Sequence, residues 1–205
     1  MKNNMRQIES CAKLMVKRFR NDPLVTIQTN DIENPEQLLY WSFLGQIEAY
    51  NEVDAVTFFQ GDKGVLIGYS TARVSEEKLI ATLQNAAKYL LENASSEEIT
   101  QLSKYAIDAN EVNDEGWYKR YWQGEVYNLQ IITIDKNLKG TGAFRELLSP
   151  ILKSCEEKGI PIVAQTNNPD NVSLYEHFGF KVIEKRTSEK IPLTCYSIAR
   201  EITGR

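Results

Sequence analysis

The sequence predicts a mixed α/β fold, in which a central, mostly antiparallel sheet contains one parallel strand–helix–strand unit, is flanked by helices and carries a helical insertion. Three observations lead to this prediction. Two β-rich segments separated by a short glycine-containing loop indicate a hairpin. A strongly amphipathic helix stands between two strand-like segments, which is the pattern of a parallel crossover. The segment 75–114 is helical in pattern and contains neither glycine nor proline.

Length and composition indicate a single soluble domain, 1–205. Lysine and arginine number 24 against 28 acidic residues, so the net charge of -4 gives no global basic field for nucleic acid or an anionic membrane. The apolar runs are strand-sized and far shorter than the roughly 20 residues of a membrane span. Three scattered cysteines and one histidine form no zinc pattern. We expect a cytoplasmic monomer or homodimer without nucleic-acid or membrane partners.

The N-terminal part, 1–51, is predicted to form helices. The first should end near Pro23, because proline cannot continue a helix. Pro35 sits at the first position of a second helix, which runs to about Tyr50. The segments that follow are the two hairpin strands and the helical insertion: 55–60, 65–70 and 75–114.

The C-terminal part, 126–201, is predicted to form the core of the sheet. In the strand 126–134 the polar alternation breaks at Ile131 and Ile132, so a bulge or full burial begins there. The next helix has an unbroken apolar stripe and ends at Gly159, although Pro150 conflicts with it. The segments after it are a buried strand, a short helix that ends at Gly179 and two final strands: 160–166, 167–179, 180–186 and 191–200.

A glycine-rich loop between a strand and the amphipathic helix is the strongest chemical signal. It consists of Lys139, Gly140, Thr141, Gly142 and Ala143. Glycines allow successive backbone N–H groups to converge, and the helix N-terminus adds about half a positive charge, which together suit a phosphate. Neither the dinucleotide fingerprint nor the P-loop pattern is met. The loop therefore predicts an anion site of another kind, with a plain tight turn as the alternative.

The second signal is the run Asn-Val-Ser-Leu-Tyr-Glu-His-Phe-Gly-Phe at 171–180. Together with the glycine-rich loop it resembles the GNAT superfamily of N-acetyltransferases. That family has a pyrophosphate loop Arg/Gln-x-x-Gly-x-Gly/Ala and a short helix that ends in a Leu-Tyr-Glu-x-x-Gly-Phe-like sequence. The resemblance covers 126 to about 201. Pro150 and the Asn-Val-x-Leu-Tyr-Glu run are similar to the branch that includes puromycin N-acetyltransferase, where the proline is a shared kink.

The resemblance implies an acetyl-CoA-dependent N-acetyltransferase whose acceptor is a primary amine on a small molecule or a peptide. It implies that Ile132, Thr133 and Ile134 belong to a bulged strand whose backbone pairs with the pantetheine arm. It places the pyrophosphate on the loop 139–143 and the end of the pantetheine on Asn171. Acceptor specificity would come from the N-terminal helices and the insertion.

The resemblance also implies catalytic roles. Tyr175 matches the tyrosine that acts as general acid toward the departing thiolate, a role that suits a phenol of pKa about 10. The alternative for Tyr175 is a core tyrosine on an amphipathic helix. Glu125, at the entrance of the bulged strand, is the nearest candidate for the general base, with Asp135 as runner-up and water-mediated proton removal as a further alternative. His177 is expected to be non-catalytic.

Two departures from the family pattern leave another function open. Asn137 replaces the family's arginine or glutamine, and the loop is about two residues shorter than usual. The alternative is a GNAT-like module that binds an acyl-CoA as a sensor without transferring the acyl group. A third hypothesis is an interaction protein built on the helical insertion.

Overall fold

The protein is described by a computed structural model for residues 5–202. Within these residues a six-stranded sheet has the order β1-β2-β3-β4-β6-β5. Only β3 and β4 are parallel neighbours, and the other adjacent pairs are antiparallel. This confirms the predicted fold class. The strands are β1 Val56–Phe59, β2 Gly64–Ser70, β3 Tyr127–Ile134, β4 Ile162–Thr166, β5 Lys181–Thr187 and β6 Thr194–Arg200.

Helices cover both faces of the sheet and form the connection between β2 and β3. In that connection a capping box joins Ser95 and Glu98, and Ser95 is the N-cap of the helix that begins at Ser96. The helices are α1 Met5–Phe19, α2 Pro23–Thr29, α3 Pro35–Glu52, α4 Glu76–Ala86, α5 Lys88–Asn93, α6 Ser96–Ser103, α7 Ala106–Asn110, α8 Ala143–Lys158 and α9 Pro169–Glu176.

Pro23 begins a helix as well as following one, which the sequence prediction missed. The Asp22 carboxylate accepts the backbone N–H of Leu24 at 3.0 Å and caps α2. Proline is favoured at the first helical position because an N–H group there would have no partner within the helix. Pro23, which was predicted only to end the first helix, therefore also begins α2. Pro150 does not end α8, because it lies on the exposed side, where the carbonyl that loses its partner can bond water.

The core has a layer on each face of the sheet. Helices α1 and α3 pack on one face against Val65, Ile67 and Tyr69, and α8 and α9 pack on the other against Leu66 and Leu129. Strand β2 is therefore buried along its whole length. The cysteines are free and buried: Cys11, Cys155 and Cys195. Within residues 5–202 no helix is long and apolar enough to cross a membrane.

Strand β3 carries the two irregularities that position the site. Ile67 pairs with Ile131 and Gly68 pairs with Leu129, so Gln130 is an extra residue in β3. The bulge lies one residue before the predicted break. The parallel ladder between β3 and β4 ends at the pair Leu129–Ala164. Beyond that pair the two strands diverge and leave one edge of β3 open.

Candidate functional site

A cavity of about 500 Å³ lies where the open edge of β3 meets the N-terminus of α8. It brings together all the predicted cofactor-binding residues except Thr141. These lining residues are Ile132, Thr133, Ile134, Lys139, Gly140, Gly142, Ala143 and Asn171. Thr141 instead closes the loop, because its hydroxyl donates to the Leu138 carbonyl at 2.8 Å. We call this space the donor cavity; the roles of its residues remain predictions.

Two glycines shape the loop of the donor cavity. Gly140 has φ of 81° and Gly142 has φ of 90°, which disfavours any residue with a Cβ. A Cβ at either position would meet no atom within 4 Å, so open space faces the loop. Gly142 is the N-cap of α8, and no side chain within residues 5–202 caps this helix end. The N–H groups of the first turn are thus available to an anion.

Basic side chains from two helices and the loop surround this helix end. The lining cations are Arg18, Lys136, Lys139 and Arg145, and Asp135 is the acidic lining residue within the described part of the chain. The Asp135 carboxylate accepts the backbone N–H of Asn137 at 2.9 Å and so caps a short 3₁₀ turn, Lys136–Leu138. The runner-up for the general base thus lies at the end of the cavity next to the N-terminus of α8, among cations.

Arg18 and His177 are lining residues that the sequence argument did not place in the site. Arg18 comes from α1, and its only sequence signal is the density of basic residues in that helix. His177 lies 2.8 Å from the Arg145 guanidinium, which stacks over the Phe178 ring at 5.0 Å. The Arg145 guanidinium is thus held between the His177 imidazole and the Phe178 ring.

Tyr175 lies in the core cluster beneath the donor cavity. It is 9% exposed and contacts the rings of Phe144 and Phe180, with centroids 6.4 and 5.2 Å away. Burial raises the pKa of its phenol. Within residues 5–202 no group makes a hydrogen bond to the Tyr175 hydroxyl. Its neighbours along α9, Asn171 and Leu174, line the donor cavity.

The structure does not bring Glu125 to the donor cavity. Glu125 is exposed, precedes β3 and accepts a hydrogen bond from the Ser70 hydroxyl at 2.5 Å. Ile132 follows seven residues later, which is about 20 Å along a strand. The position of Glu125 at the opposite end of β3 therefore gives no support to its predicted role as general base.

A second cavity, of about 290 Å³, lies on the α3 face of the sheet beside the bulge of β3. Gln130 and Ile131 form its floor, and Tyr50 and Glu115 line it. Glu115 lies in the loop after α7, and sequence reasoning missed it. No local pattern marks it, because its place in the cavity depends on how the insertion packs against α3.

No protein-family model matches the chain. A curated relative, an uncharacterized N-acetyltransferase of Schizosaccharomyces pombe, is 30% identical over 87 residues. That match covers 40% of this chain and 31% of the relative, so it spans less than a third of the relative's length.

Two solved structures resemble the whole chain. Arylalkylamine N-acetyltransferase 2 from Aedes aegypti aligns over 99% of this chain and 98% of its own, with 12% identity and a TM-score of 0.58. A histone acetyltransferase HPA2 and related acetyltransferase from Corynebacterium glutamicum aligns over 100% and 96%, with 15% identity and a TM-score of 0.60. The protein thus has the fold of the GNAT acetyltransferases.

Proposed function

We propose that this chain is a member of the GNAT superfamily that transfers the acetyl group of acetyl-CoA to a primary amine. The observation that carries the proposal is the continuity of the donor cavity. The open edge of β3 leads directly to an uncapped helix N-terminus with a glycine-rich loop. The similarity to an N-acetyltransferase over 87 residues and the shared fold support it.

The loop fits the pyrophosphate of coenzyme A. An anion there would accept hydrogen bonds from the first-turn N–H groups of α8 and would meet the positive end of the helix dipole. Lys139 and Arg145 add charge on two sides, and Arg18 adds charge from α1. The space that a Cβ would take at Gly140 and Gly142 is where the phosphate oxygens would lie.

The open edge of β3 fits the pantetheine arm. Beyond Leu129 the ladder to β4 stops, so backbone groups of residues 130–134 on that side have no partner in β4. Amide groups of an extended arm would complete the strand there. Asn171, whose side-chain amide donates to the Thr166 hydroxyl at 3.1 Å, lies at the far wall and would hold the end of the arm.

Tyr175 would stabilise the departing thiolate. Acetyl-CoA supplies an activated thioester, and negative charge develops on its sulfur as the carbon–sulfur bond breaks. The unpartnered Tyr175 hydroxyl can donate a hydrogen bond to that charge. Because burial raises its pKa, the phenol stays protonated at neutral pH, and it acts chiefly as a hydrogen-bond donor to the thiolate, whose own pKa is lower.

A thermal-shift titration tests the donor site. Acetyl-CoA should raise the melting temperature, and at 100 times its Kd the stabilisation should be about 2.7 kcal/mol. Adenosine and NAD should cause no comparable shift at the same concentration, because neither offers a pantetheine arm to the β3 edge. Absence of a shift with millimolar acetyl-CoA would contradict the proposal.

A further inference from the structure

The second cavity has a rigid wall made by the helical insertion. Helix α4 lies so close to α3 that a Cβ at Gly45 would come within 2.0 Å of the Ala86 carbonyl oxygen. The Glu48 carboxylate of α3 lies close enough to the Tyr89 phenol of α5 to raise the pKa of that phenol. The insertion is thus fixed against α3, and the cavity between them is a formed feature of the fold.

The side chains that line this cavity favour a ligand with a positively charged group attached to an apolar group. Leu83, Leu90 and Ile131 give it apolar walls, and its lining residues include one carboxylate, that of Glu115, and no basic side chain. Within residues 5–202 Glu115 has no ion-pair partner. Its neighbour Asp114, in contrast, is paired with Arg120 at 2.5 Å. The Glu115 side chain is accessible to solvent, although neighbouring residues partly desolvate its carboxylate, and the carboxylate is therefore available to a ligand.

The two cavities meet at β3. Gln130 and Ile131 line the second cavity, and Ile132 is the first strand residue that lines the donor cavity. Successive strand residues point to opposite faces of the sheet, so the two cavities lie on opposite faces. The gap beyond the pair Leu129–Ala164, where β3 no longer pairs with β4, is where a group in the second cavity would reach the donor cavity. The bulge at Gln130 lies at the crossing point.

We propose that the second cavity binds the acceptor, a small primary amine on an apolar body, and that Glu115 is the general base. This inference rests on the proposed function. The ammonium gives one proton to the Glu115 carboxylate, and the nitrogen lone pair then attacks the thioester carbonyl carbon. A carbon–nitrogen bond forms, the carbon–sulfur bond breaks, and the sulfur leaves with its electron pair. The second nitrogen proton goes to solvent and the thiolate takes up a proton, which gives the N-acetyl amine and free coenzyme A.

The size of the cavity and the surroundings of the carboxylate fit this role. A volume of about 290 Å³ lies just below the usual range of ligand pockets, about 300–1,000 Å³, which favours a small molecule over a peptide. Desolvation and, second, the charge of Asp114 raise the pKa of Glu115, which makes it a stronger base. Three tyrosines lie close enough to Glu115 for its negative charge to affect them. Burial chiefly, and the charge of Glu115 in addition, raise the pKa values of Tyr50 on α3, Tyr69 on β2 and Tyr118 after the loop.

A kinetic comparison of three amines tests the inference. Coenzyme A release is measured with 2-phenylethylamine, ethanolamine and a short lysine peptide at saturating acetyl-CoA. The expected order of kcat/KM places 2-phenylethylamine first. A preference for the peptide or for ethanolamine would overturn the assignment of the cavity while leaving the transfer activity itself established.

Variants separate the roles within the cavity. Glu115→Gln should lower kcat by about 10²–10⁴ and abolish the acidic limb of the kcat/KM profile, with acetyl-CoA affinity unchanged. Leu83→Arg should raise the KM for 2-phenylethylamine tenfold or more, because it places a cation in the cavity. Glu77→Gln, an exposed glutamate of α4 that does not line the cavity, is the matched control.

The outcomes separate this inference from the function on which it rests. Wild-type kinetics in both Glu115→Gln and Leu83→Arg would overturn the inference, and the transfer activity would stand. A wild-type protein that binds acetyl-CoA but transfers to no amine would overturn the proposed function and this inference with it.

Discussion

Tyr175 combines a buried ring with a hydroxyl that no group within residues 5–202 bonds. Within the same residues no buried side-chain nitrogen or oxygen lacks a hydrogen-bond partner, so the unbonded Tyr175 hydroxyl is accessible to solvent although its ring is buried. The ring contacts with Phe144 and Phe180 explain why the residue is fixed, and they do not explain why it is a tyrosine. A ligand in the adjacent donor cavity would accept a hydrogen bond from this accessible hydroxyl.

Replacing Tyr175→Phe tests this reading of the hydroxyl. Turnover should fall by about 10²–10⁴. The melting temperature and acetyl-CoA affinity should hardly change, because the ring packing stays and no protein hydrogen bond is lost. Tyr127→Phe is the matched control, since Tyr127 packs against the same core cluster but, unlike Tyr175, has no neighbour on its own element within four residues N-terminal to it that lines the donor cavity. Unchanged turnover in Tyr175→Phe would make it a core tyrosine only.

Glu115 links the second cavity to stability as well as to chemistry. Its pKa is raised in the folded protein, so folding favours its protonated form and the charged form costs stability. That cost is absent below about pH 4, where the carboxyl is protonated in both states, and it grows as pH rises through the folded pKa. The facing tyrosines stay neutral across this range because their pKa values are raised.

Thermal unfolding of Glu115→Gln against pH measures this cost. The variant should melt above the wild type at pH 7, and the difference should vanish at about pH 4. A variant that melts below the wild type at pH 7 would show that the carboxylate is stabilising, which is the opposite sign.

Helix α8 offers an internal comparison for the anion site, because a glycine with positive φ stands at each of its ends. Gly142 has φ of 90° and Gly159 has φ of 69°, and a Cβ at either meets open space. A residue with a Cβ would therefore cause similar backbone strain at either position, about 1–2 kcal/mol. The two positions differ because Gly142 lines the donor cavity and Gly159 does not.

Paired substitutions use that comparison. Gly142→Val should abolish the acetyl-CoA thermal shift, because its side chain fills the space needed by the phosphate. Gly159→Val should lower the melting temperature by a similar amount and keep the acetyl-CoA shift. If both variants lost the acetyl-CoA thermal shift equally, strain in α8 would be the cause, and the loop would not be shown to bind acetyl-CoA.

At the level of the whole molecule, local signals predicted the fold class, and the cofactor-binding residues that they indicated, Thr141 excepted, line one cavity. The stripe of α8, the loop 139–143 and the run around Tyr175 are short-range patterns, and their spacing alone fixes which elements they form. Local signals did not predict that Pro23 begins a helix as well as following one. They also placed the irregularity of β3 at Ile131 and Ile132, one residue after the bulge at Gln130.

The residues that sequence reasoning misplaced are those whose role depends on distant elements. Arg18 enters the donor cavity only because α1 packs across the end of β3. Glu115 enters the second cavity only because the insertion packs on α3. Glu125 was chosen for its nearness to β3 in sequence, and it lies at the end of that strand away from the donor cavity. The puromycin branch and the cytoplasmic location stay predictions.

The transfer of an acetyl group is the central claim, and its most direct measurement is coenzyme A release in the presence and absence of an amine. With acetyl-CoA and 2-phenylethylamine, thiol should appear only when both are present, in equal amount with the N-acetyl product identified by mass spectrometry. Gly142→Val should abolish this release, and Gly159→Val should retain it. Acetyl-CoA binding without amine-dependent thiol release, across 2-phenylethylamine, ethanolamine and the lysine peptide, would contradict the claim and favour an acyl-CoA sensor.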